Sequence, residues 1–403
     1  MNKNNGLPGP TNPGGSGIDA EARAAISELV ALKRLDYPSV VILGTSITGM
    51  STSGSTGFGT GTYYRAYGYF TWAQVRANGH FFLLKNAGVA GEKTDQILAR
   101  VASVIALNPD LCIVEGGAND VPAGYTSAQT IANLTSIYTA LRSAGIRVVV
   151  TTVTPRVKSV DTAEHLATLN TINRFVRDYA LDNKDVILCD WYQCLADADG
   201  KSTTTFTNDG THPNVAGAWR MGKKLYDAIN AVYQFSDNHQ LCVAADDTNS
   251  LLPNCALEGG DTKATGWDVN TWAGVTASKD VYDDGTIKYN RQIVTRAEAG
   301  TAYMMYSGAV SVAQGDLVDF AVRLNFDDVT AITAIKVKFS HDSVLICETM
   351  EVDLTNVAQA INGVYRSVAN YITSATGNCT AYVQFDGLVG SVKISNPTLR
   401  KIN

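Results

Sequence analysis

Between Ser39 and about Phe235, short β-prone apolar runs alternate with helix-length amphipathic stretches, and few folds satisfy that alternation. The apolar runs are Val40–Leu43, Phe81–Asn86, Leu111–Glu115, Arg147–Val153 and Val186–Asp190. The helical stretches fall near Tyr69–Ala77, Lys93–Leu107, Ser127–Ala144, Ala163–Leu181 and Val215–Val232. Strands separated in this way predict a parallel sheet covered by helices on both faces. After about residue 250 the pattern changes to short β-type runs, Ile287–Tyr289, Ile293–Thr295, Ala302–Tyr306, Leu317–Leu324, Ile335–Phe339, Tyr382–Phe385 and Val392–Ile394, with Gly, Asp and Asn between them. Those runs predict an antiparallel β-sandwich. The chain therefore divides into a flexible leader (1–17), an N-terminal helix (18–36), an α/β domain (37–237), a linker (238–250) and a jelly-roll-like sandwich (251–403). The apolar face of the first helix, from Ile18 to Leu32, suits packing on its own domain or bundling with sister chains.

Composition excludes several partner classes. Net charge is −6 and no Lys/Arg-rich block occurs, which argues against nucleic acid. No apolar run approaches the roughly 20 residues a membrane span needs. The cysteines, Cys112, Cys189, Cys194, Cys242, Cys255, Cys347 and Cys379, contain no C-x-x-C and no His/Cys pairing at metal spacing, so no metal is expected. Their odd count predicts mostly free thiols and assembly in a reducing cytoplasm. The Gly/Pro/Asn leader has no apolar core and does not read as a signal peptide.

Open parallel sheets bind ligands outside the carboxyl ends of their strands, so chemistry is sought in the turns that follow the apolar runs. Val40-Val-Ile-Leu-Gly-Thr-Ser-Ile-Thr48 passes from a buried strand into a tight turn, where Gly44 allows a sharp bend and Ser46 follows. Taken alone, that stretch reads more readily as an ordinary strand-to-loop turn in which Ser46 caps the next segment. A serine nucleophile needs a base within hydrogen-bond reach and an acid to orient the base. Among the histidines, His80 opens a strand, His165 lies in a helix, His239 in the linker and His341 in the β part. His212 lies in Asn208-Asp-Gly-Thr-His-Pro-Asn214, between the last strand and the last helix, with Asp209 three residues before it. Pro213 suits a first helical turn. Alone, Asp-x-x-His is also what a helix cap beside an incidental histidine looks like.

An oxyanion needs donors. Asn119, in Gly117-Ala-Asn-Asp120, offers a side-chain amide, and Gly91, in Asn86-Ala-Gly-Val-Ala-Gly-Glu-Lys-Thr94, offers a backbone N–H. Gly57-x-Gly59-x-Gly61 lacks dinucleotide-binding spacing.

Gly44-Thr45-Ser46, Asn86-x-Gly88-x-x-Gly91-x-x-Thr94, Gly117-x-Asn119-Asp120 and Asp209-x-x-His212 together resemble the four sequence blocks of the SGNH, or GDSL-type, hydrolases, over roughly residues 38–235. The resemblance implies a flavodoxin-like three-layer α/β/α fold and ester hydrolysis with no metal or cofactor. It implies Ser46 as nucleophile, His212 as base and Asp209 as its partner. The Ser46 N–H, the Gly91 N–H and the Asn119 side chain would form the oxyanion hole. Thr45 departs from the pattern, which usually has aspartate there.

The Gly-, Thr- and Tyr-rich loop after Ser46 and the appended β part point to a polar polymer, and O-acetyl removal from a polysaccharide, a capsule or O-antigen, is expected. Asn254-Cys-Ala-Leu-Glu-Gly-Gly followed by Gly266-Trp267 resembles the start of carbohydrate-binding sandwich modules. Trp267, Trp272, Tyr282 and Tyr289 are the candidate sugar-stacking residues, and core packing suits them as well. The leader, the helix and the thiols predict a bacteriophage tail spike or fibre component, a homo-oligomer (a trimer in that setting), placed in the virion tail or outside the cell. A secreted bacterial carbohydrate esterase and a non-catalytic carbohydrate-binding tail protein are the alternatives. All four blocks precede residue 240, so a chain cut near Phe235 is expected to keep small-ester turnover, provided the cut exposes no apolar interface.

Overall fold

The computed structural model describes residues 38–53, 64–157, 162–233, 235, 241–242, 244, 250–270, 274–285, 288–341, 344–353, 360–372 and 377–402. The leader, the expected helix over 18–36, the Gly57–Gly61 motif, His239 and Trp272 lie outside the described residues.

The first region runs β1 (Ser39–Gly44), α1 (Ser46–Gly49), β2 (Tyr64–Arg65), α2 (Tyr69–Arg76), β3 (Phe82–Gly88), α3 (Thr94–Ile105), β4 (Leu111–Val114), α4 (Ser127–Ser143), β5 (Arg147–Thr151), α5 (Ala163–Asp182), β6 (Ile187–Cys189), α6 (Trp191–Leu195) and α7 (Val215–Asn230). Five of these strands form one parallel sheet in the order β3-β1-β4-β5-β6. Counting only these strands along the chain, the order is the doubly wound 2-1-3-4-5, whose switch point lies at the carboxyl end of the first strand.

Alternation along the strands decides which helix covers which face. Val41, Leu43, Cys112, Val114, Val148 and Val150 pack with Ile97 and Val101 of α3, Ile137 and Leu141 of α4, and Ile172 and Val176 of α5. Val40, Ile42, Ile113, Val149 and Ile187 face the opposite way, toward Phe70 and Trp72 of α2 and Met221, Leu225 and Ile229 of α7. The three layers expected from the resemblance are therefore present. Helices α2 and α7 cross closely because position 222 is glycine. A Cβ there would stand 2.6 Å from the Tyr69 carbonyl oxygen.

The second region is antiparallel: β7 (Trp267–Val269), β8 (Val275–Asp283), β9 (Lys288–Tyr306), β10 (Val310–Val312), β11 (Leu317–Ala331), β12 (Ala334–His341), β13 (Val344–Asp353), β14 (Gly363–Arg366), β15 (Asn370–Tyr371) and β16 (Gly377–Lys401). All belong to one connected hydrogen-bonded network. Several expected short strands prove to be halves of long ones. Ile293–Thr295 and Ala302–Tyr306 both belong to β9, and Tyr382–Phe385 and Val392–Ile394 both belong to β16. The glycines between those runs mark bends within a strand, not turns between strands. β16 pairs with β12 through Asp386, shifts register around Gly387 and Gly390 (φ +59° and +104°), and then pairs with β11 from Val389 onward. Bulges of this kind let one strand change neighbours without ending.

Free thiols are present, as expected, but one pair of cysteines is bridged. Cys242 and Cys255 form a disulfide with Cα atoms 6.0 Å apart, while Cys112, Cys189 and Cys194 are unpaired. Spacing alone does not show which cysteines converge, and this pair closes a loop of only 13 residues across the expected linker.

The two regions share a core. The apolar cluster on the α2/α7 face continues through Tyr233, Cys242 and Leu252 into Phe320, Val322 and Tyr365. β2 pairs in parallel with β13, matching Tyr64 to Met350 and Arg65 to Glu351. The Val364 N–H donates to Asn78 Oδ1 at 3.2 Å, beyond the end of α2. Phe235 packs on Phe81, ring centroids 5.2 Å apart.

Candidate active site

Three strand ends and one loop build the site. Val40–Leu43 are fully buried and hold β1 rigidly in the sheet centre. The chain then turns at Gly44 into α1, whose first residue is the half-buried Ser46. The glycine is needed for space and not for a left-handed backbone. A Cβ at Gly44 would meet Thr48 Oγ1 and would lie 2.6 Å from Glu115 Oε2.

His212 arrives on the loop between α6 and α7. That loop is a tight hairpin, with the Asn208 N–H donating to the His212 carbonyl at 2.9 Å and Gly210 at the tip with φ +88°. Helix α7 starts at Val215, capped by Asn214 Oδ1, which accepts from the Gly217 N–H at 3.0 Å. Pro213 thus precedes the cap instead of opening the helix. Within the hairpin, Asp209 Oδ1 accepts from the Thr211 and His212 amides at 3.0 and 2.8 Å, and Oδ2 lies 2.7 Å from His212 Nδ1. His212 Nε2 lies 2.8 Å from Ser46 Oγ.

Electrostatics fixes the direction of this line. Partial burial acts to raise the Asp209 carboxyl, but the His212 amide, the His212 ring and the Thr211 amide outweigh it and hold Asp209 at about 2. A depressed carboxyl is anionic at every pH above that value, so the stability gained from these bonds is lost only as pH falls toward 2. An ionised carboxylate only accepts hydrogen bonds. His212 Nδ1 therefore carries the proton, and Nε2 is left to accept from the Ser46 hydroxyl.

The other two expected residues stand at the same sheet edge. Gly91 follows β3 in the left-handed region (φ +79°), a conformation that favours glycine. Asn119 follows β4, and its Nδ2 donates to the Glu92 carbonyl at 2.9 Å, tying its turn to the Gly91 loop. The amide has a second hydrogen for another acceptor.

Four supports escaped sequence reasoning. Asp120, fully buried, accepts from the Thr94 N–H at 2.9 Å, from the Thr94 hydroxyl, and from the Thr130 hydroxyl at 2.9 Å, joining the turns after β3 and β4. Arg100 ion-pairs with Glu92 and donates to the Ala87 carbonyl at 3.0 Å. Asn86 donates to the Thr48 and Gly49 carbonyls at 3.2 Å each and to Thr52 Oγ1 at 2.8 Å. Glu115 sits beneath α1 and accepts from Thr45 and Thr48. The signal for Glu115 and Asp120 was present: each is a carboxylate directly beyond, or close beyond, a fully apolar strand.

The aromatic expectations divide. Trp267 is a core residue, 4% exposed, with its ring against Tyr306 and its Nε1 donating to the Asn254 carbonyl at 3.0 Å. Tyr282 and Tyr289 stack across the β8–β9 hairpin, centroids 4.9 Å apart and planes within 20°. They line a cleft of about 330 Å³ with Asp284, Arg291, Asn325 and Asn362. Asn78 of the first region borders it, just past the end of α2.

Residues 42–220 match the model of the GDSL-like Lipase/Acylhydrolase family. Curated proteins yield no match. Similar solved structures include a GDSL-like lipase from Bacteroides thetaiotaomicron, 22% identical, covering 52% of this chain and 97% of its own, with a TM-score of 0.37. An acetyl xylan esterase is 22% identical, covers 47% of this chain and 98% of its own, and has a TM-score of 0.39. A catalytic mutant of an acetylxylan esterase from Geobacillus stearothermophilus is 19% identical, covers 49% and 96%, and has a TM-score of 0.41. Over residues 42–220, then, the α/β region is similar to the GDSL-like acylhydrolases.

Proposed function

We propose that the chain is a serine esterase that removes O-acetyl groups from a polysaccharide. The single observation carrying this reading is the unbroken line from Ser46 Oγ through the His212 ring to Asp209, with contacts of 2.8 and 2.7 Å. In this reading Ser46 Oγ attacks the acetyl carbonyl while His212 Nε2 takes its proton. Asp209 holds the ring in the required tautomer and stabilises the imidazolium. The developing oxyanion is received by the Ser46 and Gly91 amides and the second N–H of Asn119. His212 then protonates the departing sugar oxygen, and water repeats the sequence on the acetyl-enzyme to release acetate.

A polymeric substrate is supported by the Tyr282–Tyr289 cleft, since a stacked aromatic wall ringed by amide, carboxylate and guanidinium groups suits sugar rings. It lies beside the end of α2 that precedes β3, whereas Ser46 lies at the carboxyl edge of the sheet. None of the residues lining the cleft is Ser46, His212 or Asp209, so the cleft is a separate site from the proposed triad. A virion-tail or extracellular setting and a homo-oligomer remain part of this proposal.

The test is turnover of p-nitrophenyl acetate by the full chain against Ser46→Ala, followed by acetate release from native acetylated capsules and O-antigens. Excess turnover that Ser46→Ala abolishes is the expected result. Equal rates in the two proteins, with no labelling by a serine-directed phosphonate, reject the esterase reading.

A further inference from the structure

We infer that Glu115 is a positioning residue for the Ser46 nucleophile, acting through Thr45 and Thr48; this rests on the serine-esterase reading above. β1 and β4 are neighbours in register, with Leu43 opposite Val114, and the Glu115 N–H donates to the Leu43 carbonyl at 2.9 Å. The next side chain along β4 is therefore delivered beside the turn that carries Ser46. Its carboxylate faces donors from Thr45 and Thr48. Oε2 accepts from the Thr45 N–H at 2.7 Å, the Thr45 hydroxyl at 2.8 Å and the Thr48 hydroxyl at 3.1 Å, and Oε1 accepts from the Thr45 hydroxyl at 3.0 Å. Thr48 Oγ1 also lies 3.1 Å from the Tyr69 hydroxyl, which extends the network to α2.

Three features set this arrangement apart from ordinary packing. Glu115 is 4% exposed, and among the described residues no ion pair includes it. A buried carboxylate without a counter-charge is costly and persists only where fixed donors hold it. Second, Thr45 is the N-cap of α1, yet its side chain makes no cap bond to its own helix, because it is turned to Glu115. Third, glycine at position 44 leaves the space that Oε2 fills. The residues held from below, Thr45 and Thr48, bracket Ser46, so the carboxylate sets the pitch of the single turn that aims Oγ at His212.

The geometry makes a reciprocal prediction. The Thr45 side chain and the Glu115 carboxylate are two ends of one hydrogen bond, so the charge can be moved from one end to the other. Glu115→Gln keeps the size but replaces one acceptor with an amide donor. It is expected to lower kcat on p-nitrophenyl acetate about 10- to 100-fold with KM nearly unchanged, the scale that small misplacement of a reacting group produces. Thr45→Asp in the native background opposes two buried carboxylates and is expected to lose at least as much. Thr45→Asp combined with Glu115→Gln rebuilds one carboxylate with an amide donor facing it, and is expected to recover kcat at least tenfold above Thr45→Asp alone. A residue that merely fills space would not produce that recovery. Thr48→Val, which removes one donor and keeps the volume, gives the same comparison if Glu115→Gln does not fold, with a several-fold fall in kcat at constant KM. Wild-type kcat in Glu115→Gln, or in Thr48→Val if that variant is needed, overturns the inference, as does a double variant no better than Thr45→Asp. In each of these cases the excess of wild type over Ser46→Ala is intact and the esterase reading survives. Absence of that excess overturns both.

Discussion

The two regions of this chain solve the same packing problem by different means. In the α/β region, β1, β3 and β4 end at or near glycines, and the groups proposed for the chemistry stand close to element boundaries: Ser46 after β1, Gly91 after β3, Asn119 after β4, His212 before α7. In the β region, strands of 15 to 25 residues run on through bulges and exchange partners without stopping. The first design leaves many free turns at one edge, where side chains can be aimed at a common point. The second leaves few such ends and is suited to building an extended wall. The difference teaches where to look for reaction and where to look for adhesion, and it is open to direct attack by mutation.

The largest effect should fall entirely on the first region. His212→Ala is expected to remove turnover by a factor of about 10⁶ in kcat, as loss of a serine-hydrolase base does, while the circular dichroism spectrum is retained. His165→Ala and His341→Ala should leave kcat within a few-fold of wild type. An active His212→Ala would break the comparison at its root. Next comes Asn119→Ala, expected to lower kcat about 100- to 1,000-fold with a smaller change in KM, because the lost donor acts on developing charge. A change in KM alone would show that Asn119 holds substrate only.

The sequence made the first region legible because its signals are local. A glycine after an apolar run, an acid three residues before a histidine and an amide in a glycine turn can each be read within ten residues. The same habit failed in the second region. Gly300, Gly387 and Gly390 look like turn residues, yet they sit inside β9 and β16, and only pairing between residues about 80 to 100 apart shows it. Glu115 escaped for a related reason: its partners are Thr45 and Thr48, about 70 residues away. The Cys242–Cys255 bridge is not legible because an odd, scattered cysteine count does not show which pair converges.

The shared core predicts a stability effect that crosses the boundary. Cutting the chain near Phe235 would remove Phe320, Val322 and Tyr365 from the apolar cluster that they form with residues of α2 and α7. Small-ester and polymer activities should therefore fall together, with a lowered Tm, because the cut does not meet the condition that it expose no apolar interface. A subtler probe keeps the chain whole. Asp319 is buried between Arg366 (2.9 Å) and Arg400 (2.7 Å). Burial acts to raise its carboxyl, and the two guanidiniums outweigh that and hold it below its ordinary value. Asp319→Ala should cost about 3–5 kcal/mol, since it removes the carboxylate that two buried guanidiniums share. Urea unfolding measures this, and a cost below about 1 kcal/mol would show that the junction relaxes around the arginines. By the sign of the shift, the contribution of Asp319 is present at neutral pH and disappears only as pH falls through its depressed value.

The smallest effect is the one that assigns the β region a task. Tyr289→Ala removes one ring of the stacked pair without touching the Arg291–Asp280 ion pair beside it, whose contacts are 2.5 and 2.7 Å. If the cleft holds a sugar ring, the loss is an aromatic contact worth about 0.5–1.5 kcal/mol beyond its area, or roughly a tenfold weaker hold on the polymer. Because the cleft is lined by none of Ser46, Gly91, Asn119, Asp209 and His212, p-nitrophenyl acetate should be turned over at the wild-type rate. Acetate release from polysaccharide should fall several-fold at low substrate concentration and recover at saturation, since tethering acts through effective concentration and not through the transition state. Equal fractional losses on both substrates would mean that the hairpin only stiffens the fold. No loss on either would make the cleft a crease between strands. Only the split between the substrates, absent at saturation, supports adhesion in one region serving reaction in the other.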